Sequence, residues 1–417
     1  MMSGTVVLDA RAGTKVRAAI YTSFGELEAR QEEWDEFVES TGSDIFLTFD
    51  WCRIWWKYYG RNRDLRVFVF RRGGELVGLL PLFVEKIWLG PLPVKMIKFV
   101  GSDFTMSHFS PAIRSDSIPE VMRQLSTYLS NDRWSIMHVG PIAGLYAHAE
   151  TLKDALRETF GRRHHLILED REDQTYFQLY DSWDEYLKSL SRRQRQHIKE
   201  KYRRLRKMFG NDTPITSRFA EKDTFEPFFD AFVTAHQNRW EKGGRPGHFR
   251  DWPDAREFHL EVAREQLKHH RLRLLEVKAG QHLLGYKYAY KFADKYLEFL
   301  DARTEVEALL SVSLGHIIFC EQLKDATQER VRYIDSMRGK YDHKMRMGGK
   351  VFSMRNFYII PKKPRILIPV MLFRCFACFL NLFYYRLWYN RAAVKLPLRR
   401  KGLWEIWIRT CDFAWRR

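Results

Sequence analysis

Four residues with reactive side chains lie close together between residues 335 and 344. Asp335 ends a predicted strand over residues 331–335, and Tyr341, His343 and Lys344 follow within nine positions. A tyrosine can donate a proton, a histidine can accept one, and a lysine can hold an anion. This segment is therefore the first candidate site, and the alternative is a polar turn with a structural aspartate.

Two carboxylates, Glu298 and Asp301, lie on a predicted strand over residues 295–302. Either could take a proton from an attacking group. They are three positions apart, so a regular strand would point them to opposite faces and only one would reach a cleft. The alternative is a pair of solvated carboxylates.

The stretch over residues 309–316 follows this strand and leads into a predicted helix over residues 315–326. Free backbone N–H groups and the positive end of a helix dipole suit a phosphate. Ser311 or Ser313 could cap the helix and donate to such a group, and Gly315 and His316 lie in its first turn. An ordinary helix cap is the alternative.

A third group of polar residues, His236 and Arg239 beside Trp240, ends a helix predicted over residues 224–240. A buried tryptophan with polar neighbours is also a common feature of protein cores.

The positive charge is concentrated in two segments. The chain has 417 residues and a net charge of +18; residues 188–207 carry ten Lys/Arg against Glu200, and residues 361–417 carry thirteen against Glu405 and Asp412. The rest is close to neutral, which argues against a generic nucleic-acid binder. The first segment is a predicted amphipathic helix whose basic face is either solvated or contacts an anion: a membrane, a glycan precursor or, less favoured, tRNA.

Length and cysteine content indicate the number of domains and the cellular compartment. The length suits two or three domains. Five scattered cysteines and the lack of an apolar N-terminal signal favour a cytoplasmic protein without disulfides. Cys375 and Cys378 lie in an apolar stretch, which favours helix packing over zinc, and no metal site is predicted.

The elements that would position these residues form a mixed α/β pattern. Strands are predicted at the ranges 18–22, 65–71, 75–84, 95–100, 134–139, 165–169, 174–180, 215–219, 272–277, 282–292, 295–302, 331–335 and 351–360. Helices are predicted at 32–39, 48–59, 118–130, 183–210, 224–240, 254–270 and 315–326.

Two hairpins match one another at a constant offset of 207 residues. Leu65-Arg66 aligns with Leu272-Arg273, and Gly73, Leu76 and Gly78 align with Gly280, Leu283 and Gly285. The match favours a duplicated unit.

Three motifs resemble one family. They are FLTFDWCRIWWKYYG at residues 46–60, HQNRW at 236–240 followed by Gly243-Gly244 and Gly247-His248-Phe249, and DSMRGKYDHK at 335–344. Together they resemble the GNAT-type acetyltransferases of the cellulose-biosynthesis (CelD-like) family, relatives of the FemABX peptidyltransferases, over roughly residues 20–360. The chain differs at Ser336, where the family has an aromatic residue, at His343, where it has tyrosine, and in a glycine-poor loop over residues 309–316.

The resemblance implies two fused GNAT-like units and acetyl-CoA or another acyl-CoA as co-substrate. It places the pyrophosphate at Ser311, Ser313, Gly315 and His316. It further implies Glu298 or Asp301 as base, Asp335, Tyr341, His343 and Lys344 in the catalytic segment, and Arg338 and Gly339 in the turn between them. His236, Arg239 and Trp240 would line the acceptor cleft.

The function expected from this resemblance is N- or O-acylation of a sugar or lipid-linked glycan precursor. Two alternatives remain: a FemABX-like transferase that uses aminoacyl-tRNA, and a non-catalytic scaffold of a polysaccharide-export complex.

The C-terminal segment is apolar, aromatic and basic. Residues 366–389 are interrupted by Arg374, Asn381 and Arg386, so the longest uncharged run is eleven residues, short of the ~20 a spanning helix needs. Arg374 and Asn381 would share a narrow polar stripe. The pattern favours a helix in the headgroup region of an anionic membrane, through residues 365–417, on the cytoplasmic face; packing onto the protein body is the alternative. The predicted divisions are 1–17, 18–170, 171–362 and 363–417.

Overall fold

The computed structural model describes residues 6–7, 15–304, 313–396 and 400–415. Two compact units divide the chain: unit 1 takes the residues up to Arg171 and those from Met354 onward, and unit 2 takes Glu172–Ser353. The predicted division instead placed residues 354–362 with the second domain. They belong to unit 1 because the last strand of the chain pairs there with a unit 1 strand from Arg355 onward.

The first part of the chain alternates strands and helices. Its strands are β1 (Val6–Val7), β2 (Val16–Tyr21), β3 (Asp64–Arg72), β4 (Glu75–Leu89), β5 (Leu92–Phe99), β6 (Ala112–Ile113), β7 (Ile136–Ile142) and β8 (His164–Gln178). Its helices are α1 (Gln31–Ser40), α2 (Phe49–Tyr59), α3 (Ile118–Ser130) and α4 (Ala149–Phe160). The predicted strands over residues 165–169 and 174–180 are one strand, β8.

The middle part of the chain builds unit 2. Its helices are α5 (Trp183–Ser189), α6 (Arg192–Phe209), α7 (Phe225–Lys242), α8 (His248–Asp251), α9 (Ala255–Lys268), α10 (Leu314–Gln328) and α11 (Asp342–Arg346). Its strands are β9 (Ile215–Phe219), β10 (Leu272–Ala279), β11 (His282–Phe292), β12 (Lys295–Arg303), β13 (Tyr333–Arg338) and the start of β14 (Lys350–Pro361).

Both units repeat one strand pattern. In unit 1, β2, β3, β4 and β5 pair antiparallel in sequence, and β5 then pairs parallel with β7. In unit 2, β9, β10, β11 and β12 do the same, and β12 pairs parallel with β13. The prediction of a mixed α/β fold with tandem units is confirmed.

The matching hairpins agree in register as well as in sequence. In β3–β4 the register shifts between Phe70 and Arg71, with Phe70 opposite Gly78. In β10–β11 it shifts between Val277 and Lys278, with Val277 opposite Gly285. These positions also differ by 207, so the two glycines found in the sequence occupy equivalent bulges.

The helix predicted over residues 183–210 is two helices, so that prediction was wrong. Ser191 lies between α5 and α6, where its hydroxyl accepts from the Gln194 N–H and the Gln194 side chain accepts from the Ser191 N–H. This capping box starts a new helix inside the predicted one.

The C-terminal segment continues unit 1. It contains α12 (Pro364–Phe379), a π-helical continuation (Leu380–Ala392), α13 (Ala393–Lys395) and α14 (Trp404–Thr410). Val370, Phe373 and Ala377 pack with Phe413 against Met96 and other residues of the unit 1 sheet. The predicted polar stripe therefore faces inward: Arg374 is fully buried, and Asn381 accepts from the Trp407 indole N–H.

Candidate active site

The parallel strands β12 and β13 position the candidate carboxylates of unit 2. Their pairing runs from Lys295 opposite Tyr333 to Leu297 opposite Asp335, and then stops. Glu298 on β12 and Ser336 on β13 come immediately after this last pair. Polar side chains are thus presented where the two strands cease to pair.

Glu298 is held in a largely buried ion pair. Lys287 on β11 donates to Glu298 Oε1, and Ser336 Oγ donates to Glu298 Oε2 at 2.5 Å. Burial would raise the pKa of Glu298, but the positive charge of Lys287 and its hydrogen bond outweigh burial and lower it. Glu298 is therefore a carboxylate at neutral pH.

Asp301 joins the same charge cluster, contrary to the prediction that it would face away from Glu298. Tyr288 pairs with Leu300 and Ala289 with Glu298, so Phe299 is an extra residue in β12. This bulge breaks the alternation on which the prediction depended. Burial acts to raise the pKa of Asp301, but Lys287 and Arg239 lower it to about 2; Arg239 Nη1 donates to Asp301 Oδ2 at 2.8 Å.

His236 and Trp240 border Asp301 from α7. His236 Nδ1 donates to the carbonyl oxygen of Asp301 at 2.8 Å, and its Nε2 lies 3.0 Å from His248 Nδ1. The His236 and Trp240 rings are 6.0 Å apart. Burial lowers the pKa of His236, and burial also lowers the pKa of His248, to about 3. Both imidazoles are therefore neutral near pH 7. The predicted acceptor residues thus lie beside one predicted base.

Asp335 supports the backbone of the segment over residues 335–344. It is fully buried, and its carboxylate accepts from Gln174 Nε2 at 2.7 Å and from the Met337 N–H at 2.8 Å. Met337 has a φ of 58°, a conformation that this bond supports. These two hydrogen bonds hold the backbone at the end of β13.

Lys344 is also turned inward. Its Nζ donates to the carbonyl oxygens of Ser336 at 2.5 Å and Arg338 at 3.2 Å. Burial lowers the pKa of Lys344, and Glu298 opposes this change. Lys344 therefore links the backbone carbonyl groups of Ser336 and Arg338. Its positive charge lies close to Glu298.

Tyr341 and His343 form the open side of the segment. Their rings stack at 5.6 Å with an interplanar angle of 8°, and the Tyr341 side chain is 56% exposed. Partial desolvation and the charge of Lys344 lower the pKa of His343, whereas Glu298 opposes them.

The turn residues Arg338 and Gly339 precede this stack. Gly339 has a φ of 102°, and a Cβ there would lie 2.2 Å from Tyr341 Cε2, so the turn requires glycine. Arg338 Nη1 pairs with Glu172 at 3.0 Å.

One lysine and three histidine rings lie near the start of α10. Ser313 has a φ of 59° and forms no side-chain cap; its hydroxyl accepts from Lys201 Nζ of α6 at 3.0 Å. The ring of His316 lies 5.0 Å from that of His197 and 6.5 Å from that of His343. Burial, His197 and Lys201 lower the pKa of His316 to about 4. A Cβ on Gly315 would meet open space, and Ser311 lies outside the described residues.

Two members of this site escaped sequence analysis. Lys287 lies between Tyr286 and Tyr288 on a buried strand. A lysine among apolar and aromatic strand residues could have indicated that it pairs with a buried carboxylate. His248 belonged to a recognised motif but received no role. In the described part of the chain, no group of three or more His, Cys, Asp or Glu could hold a metal ion.

Comparison with known proteins agrees with the architecture. Residues 192–345, which include every predicted site residue, match the model of the acetyltransferase (GNAT) domain. FemX is similar in structure, with 12% identity, 81% of this chain and 98% of FemX covered, and a TM-score of 0.57. No curated protein matches.

Two further solved structures are similar at lower scores. L-PGS from Bacillus licheniformis has 11% identity, coverage of 81% and 95%, and a TM-score of 0.46. A tandem GNAT protein from the clavulanic acid pathway has 12% identity, coverage of 84% and 99%, and a TM-score of 0.40. The match of residues 192–345 to the acetyltransferase (GNAT) domain confirms the prediction of a GNAT-fold acyltransferase.

Proposed function

We propose that this protein is an acyl-CoA-dependent N- or O-acyltransferase of the CelD-like kind, acting on a sugar or a lipid-linked glycan precursor. The observation that carries the proposal is the position of His343 in unit 2. Its ring lies 6.5 Å from His316 at the start of α10, and it is within electrostatic reach of Glu298 and Asp301. One neutral imidazole thus lies between the start of α10, where the donor phosphates would bind, and a cluster of carboxylates.

The donor end suits the phosphates of an acyl-CoA such as acetyl-CoA. Lys201, Ser313 and His316 would hold them, with Gly315 allowing close approach. His316 Nε2 is buried without a hydrogen-bond partner among the described residues. The thioester supplies an activated acyl carbon.

His343 is the best candidate for the proton acceptor. Its lowered pKa keeps it neutral at pH 7, whereas Asp301, with a pKa of about 2, is a poor base. Glu298 and Asp301 would stabilise the imidazolium formed when His343 takes the acceptor's proton. Tyr341, stacked on His343, would offer its hydroxyl proton to the leaving sulfur.

The acceptor side consists of Trp240, Arg239 and His236. Trp240 is half-buried and offers an apolar surface, and Arg239 keeps side-chain exposure while bound to Asp301. Arg338 and Gly339 would shape the opposite wall. Such a mixture of an aromatic ring and charged donors suits a sugar carrying a free amine or hydroxyl. Residues 365–417 would hold the enzyme at an anionic membrane, on the cytoplasmic face, where lipid-linked precursors are found.

A FemABX-like transfer from aminoacyl-tRNA is the second candidate. The similarity of fold to FemX and the exposed cations of α6, such as Arg192, Arg193 and Lys199, favour it. Binding of tRNA would then depend on these side chains.

The proposal is tested by the release of free thiol from acetyl-CoA in the presence of a panel of amino sugars and glycan precursors. We predict that His343→Ala reduces turnover about a hundredfold, the lower range for losing a general base. In the unchanged enzyme, the rate should fall as the pH falls through the pKa of His343, below 6.5, because the protonated ring cannot accept a proton.

The matched control is His165→Ala, an exposed histidine of unit 1. Equal rates for His343→Ala and the unchanged enzyme would remove His343 from the mechanism. Turnover with aminoacyl-tRNA but not with acetyl-CoA would establish the second candidate. The absence of turnover with either donor would favour the non-catalytic scaffold.

A further inference from the structure

The C-terminal helix of unit 1 carries a continuous apolar stripe that nothing in the described structure covers. Although Arg374 and Arg386 interrupt it, Pro364–Lys395 could cross a membrane by its length and composition alone, and 28% of its most apolar window is buried. Five large apolar side chains, 41% to 61% exposed, follow one another at intervals of four or seven residues: Ile368, Leu372, Phe379, Phe383 and Leu387. These five residues are called the outer stripe.

The opposite face of the helix is fixed to the protein by a buried charge. Arg374 is fully buried, its Nη2 donates to Glu169 of β8 at 2.6 Å, and its Nε donates to the carbonyl oxygen of Phe413 at 3.1 Å. Separating such a buried ion pair reduces the stability of the fold, because a buried charge is left without its partner. The first half of the helix is therefore held on unit 1.

Aromatic packing fixes the second half of the helix as well. Tyr385 stacks on Trp407 at 3.9 Å, and Tyr389 stacks on Trp404 at 4.5 Å. Leu380 and Tyr384 are buried on the same side. The inner face is thus occupied from Val370 to Tyr389, whereas the outer stripe and the neighbouring Leu382 remain exposed.

Exposed cations border the outer stripe at both ends. Lys362, Lys363 and Arg365 precede it, and Arg386, Arg391 and Lys395 lie near its end or follow it. Between residues 361 and 396 the sequence contains no acidic residue. An apolar face bordered by cations is complementary to a bilayer with anionic headgroups.

We infer that the outer stripe docks unit 1 onto an anionic membrane with the helix lying in the plane of the bilayer, not across it. A spanning helix would have to expose to lipid the inner face that binds Glu169 and the unit 1 core. An in-plane helix buries the outer stripe and leaves those contacts intact. The inference shares the membrane location with the proposed function but not its chemistry, so it is tested without acyl donor or acceptor.

The first test is co-sedimentation of the full chain with vesicles of phosphatidylcholine, with and without phosphatidylserine. Binding should be about tenfold tighter with phosphatidylserine, and Phe379→Ser with Phe383→Ser should weaken it about tenfold or more. The control is Leu168→Ser, an exposed leucine of unit 1 outside the stripe. Equal binding by the stripe variant, or a dimer in solution that the stripe variant abolishes without any vesicle binding, would overturn the inference.

The second test measures depth and separates in-plane from spanning placement. Cys375 is exposed and falls on the outer stripe between Leu372 and Phe379. With Cys378 and Cys411 replaced by serine, a fluorophore on Cys375 is compared with one on Ile368→Cys or Leu387→Cys in a Cys375→Ser background. Quenching by lipids brominated at different depths should place all three labels at one shallow depth. A label at Cys375 near the bilayer centre, with shallow labels at the other two positions, would show that the helix spans.

Discussion

At the scale of single residues, the candidate site contains a lysine that the sequence patterns did not indicate. The carboxylates, the catalytic segment and the α7 residues were recognisable from their types and positions. Lys287 was not, because its importance arises from pairing across the sheet: it lies directly opposite Asp301, and the bulge at Phe299 brings Glu298 to the same charge. A bulge in β12 leaves no simple pattern in the sequence, so the prediction of opposite faces failed.

Replacement of Lys287 by methionine should destabilise the protein by about 3 kcal/mol near neutral pH, since it leaves Glu298 buried without its partner. The lowered pKa of Glu298 stabilises the fold above the ordinary glutamate pKa, and this contribution is lost as the pH falls through the folded-state pKa. In the variant, burial raises that pKa instead, so the stability difference should shrink as the solution is acidified. Denaturant unfolding at pH 7 and at about pH 5 measures it.

The double variant Lys287→Met with Glu298→Leu is the control for this prediction. It should be less destabilised than Lys287→Met alone, because no unpaired charge remains. A double variant that loses the sum of both single effects would show that the pair is not coupled.

At the scale of elements, periodicity located most helices and strands, and local hydrogen bonding decided where they end. The predicted strand over residues 215–219 and the predicted helix over residues 118–130 have the bounds observed for β9 and α3. The helix predicted over residues 183–210 failed because apolar spacing continues through Ser191, while the capping box restarts the helix there. The start of α10 could not be predicted in detail, because Lys201 comes from α6, more than a hundred residues earlier.

Substitution of Ser191 by alanine should cost about 1 kcal/mol, because the cap of α6 loses its side-chain acceptor. Denaturant unfolding of the full chain measures the loss. Ser353→Ala, an exposed serine of β14 without a capping role, should change the stability by less than about 0.5 kcal/mol. Equal effects of the two substitutions would show that the capping box does not determine where α6 begins.

At the scale of the whole molecule, the repeat at 207 residues predicted two units of one fold. The two bulged hairpins with equivalent glycines agree with it. The division of the chain was harder to predict, because residues 354–417 return to unit 1 after the chain has built unit 2. The predicted site residues all lie in unit 2, within the matched acetyltransferase domain.

The most direct test of the central claim, that unit 2 holds an acyl-CoA at the start of α10, is calorimetric titration of acetyl-CoA into the full chain. We predict one site with a Kd on the order of micromolar, within the usual range of enzyme substrates. Lys201→Ala should weaken it about tenfold, whereas Lys207→Ala, an exposed lysine on the same helix, should leave it unchanged. Absence of binding, or equal affinity in both variants, would contradict the claim.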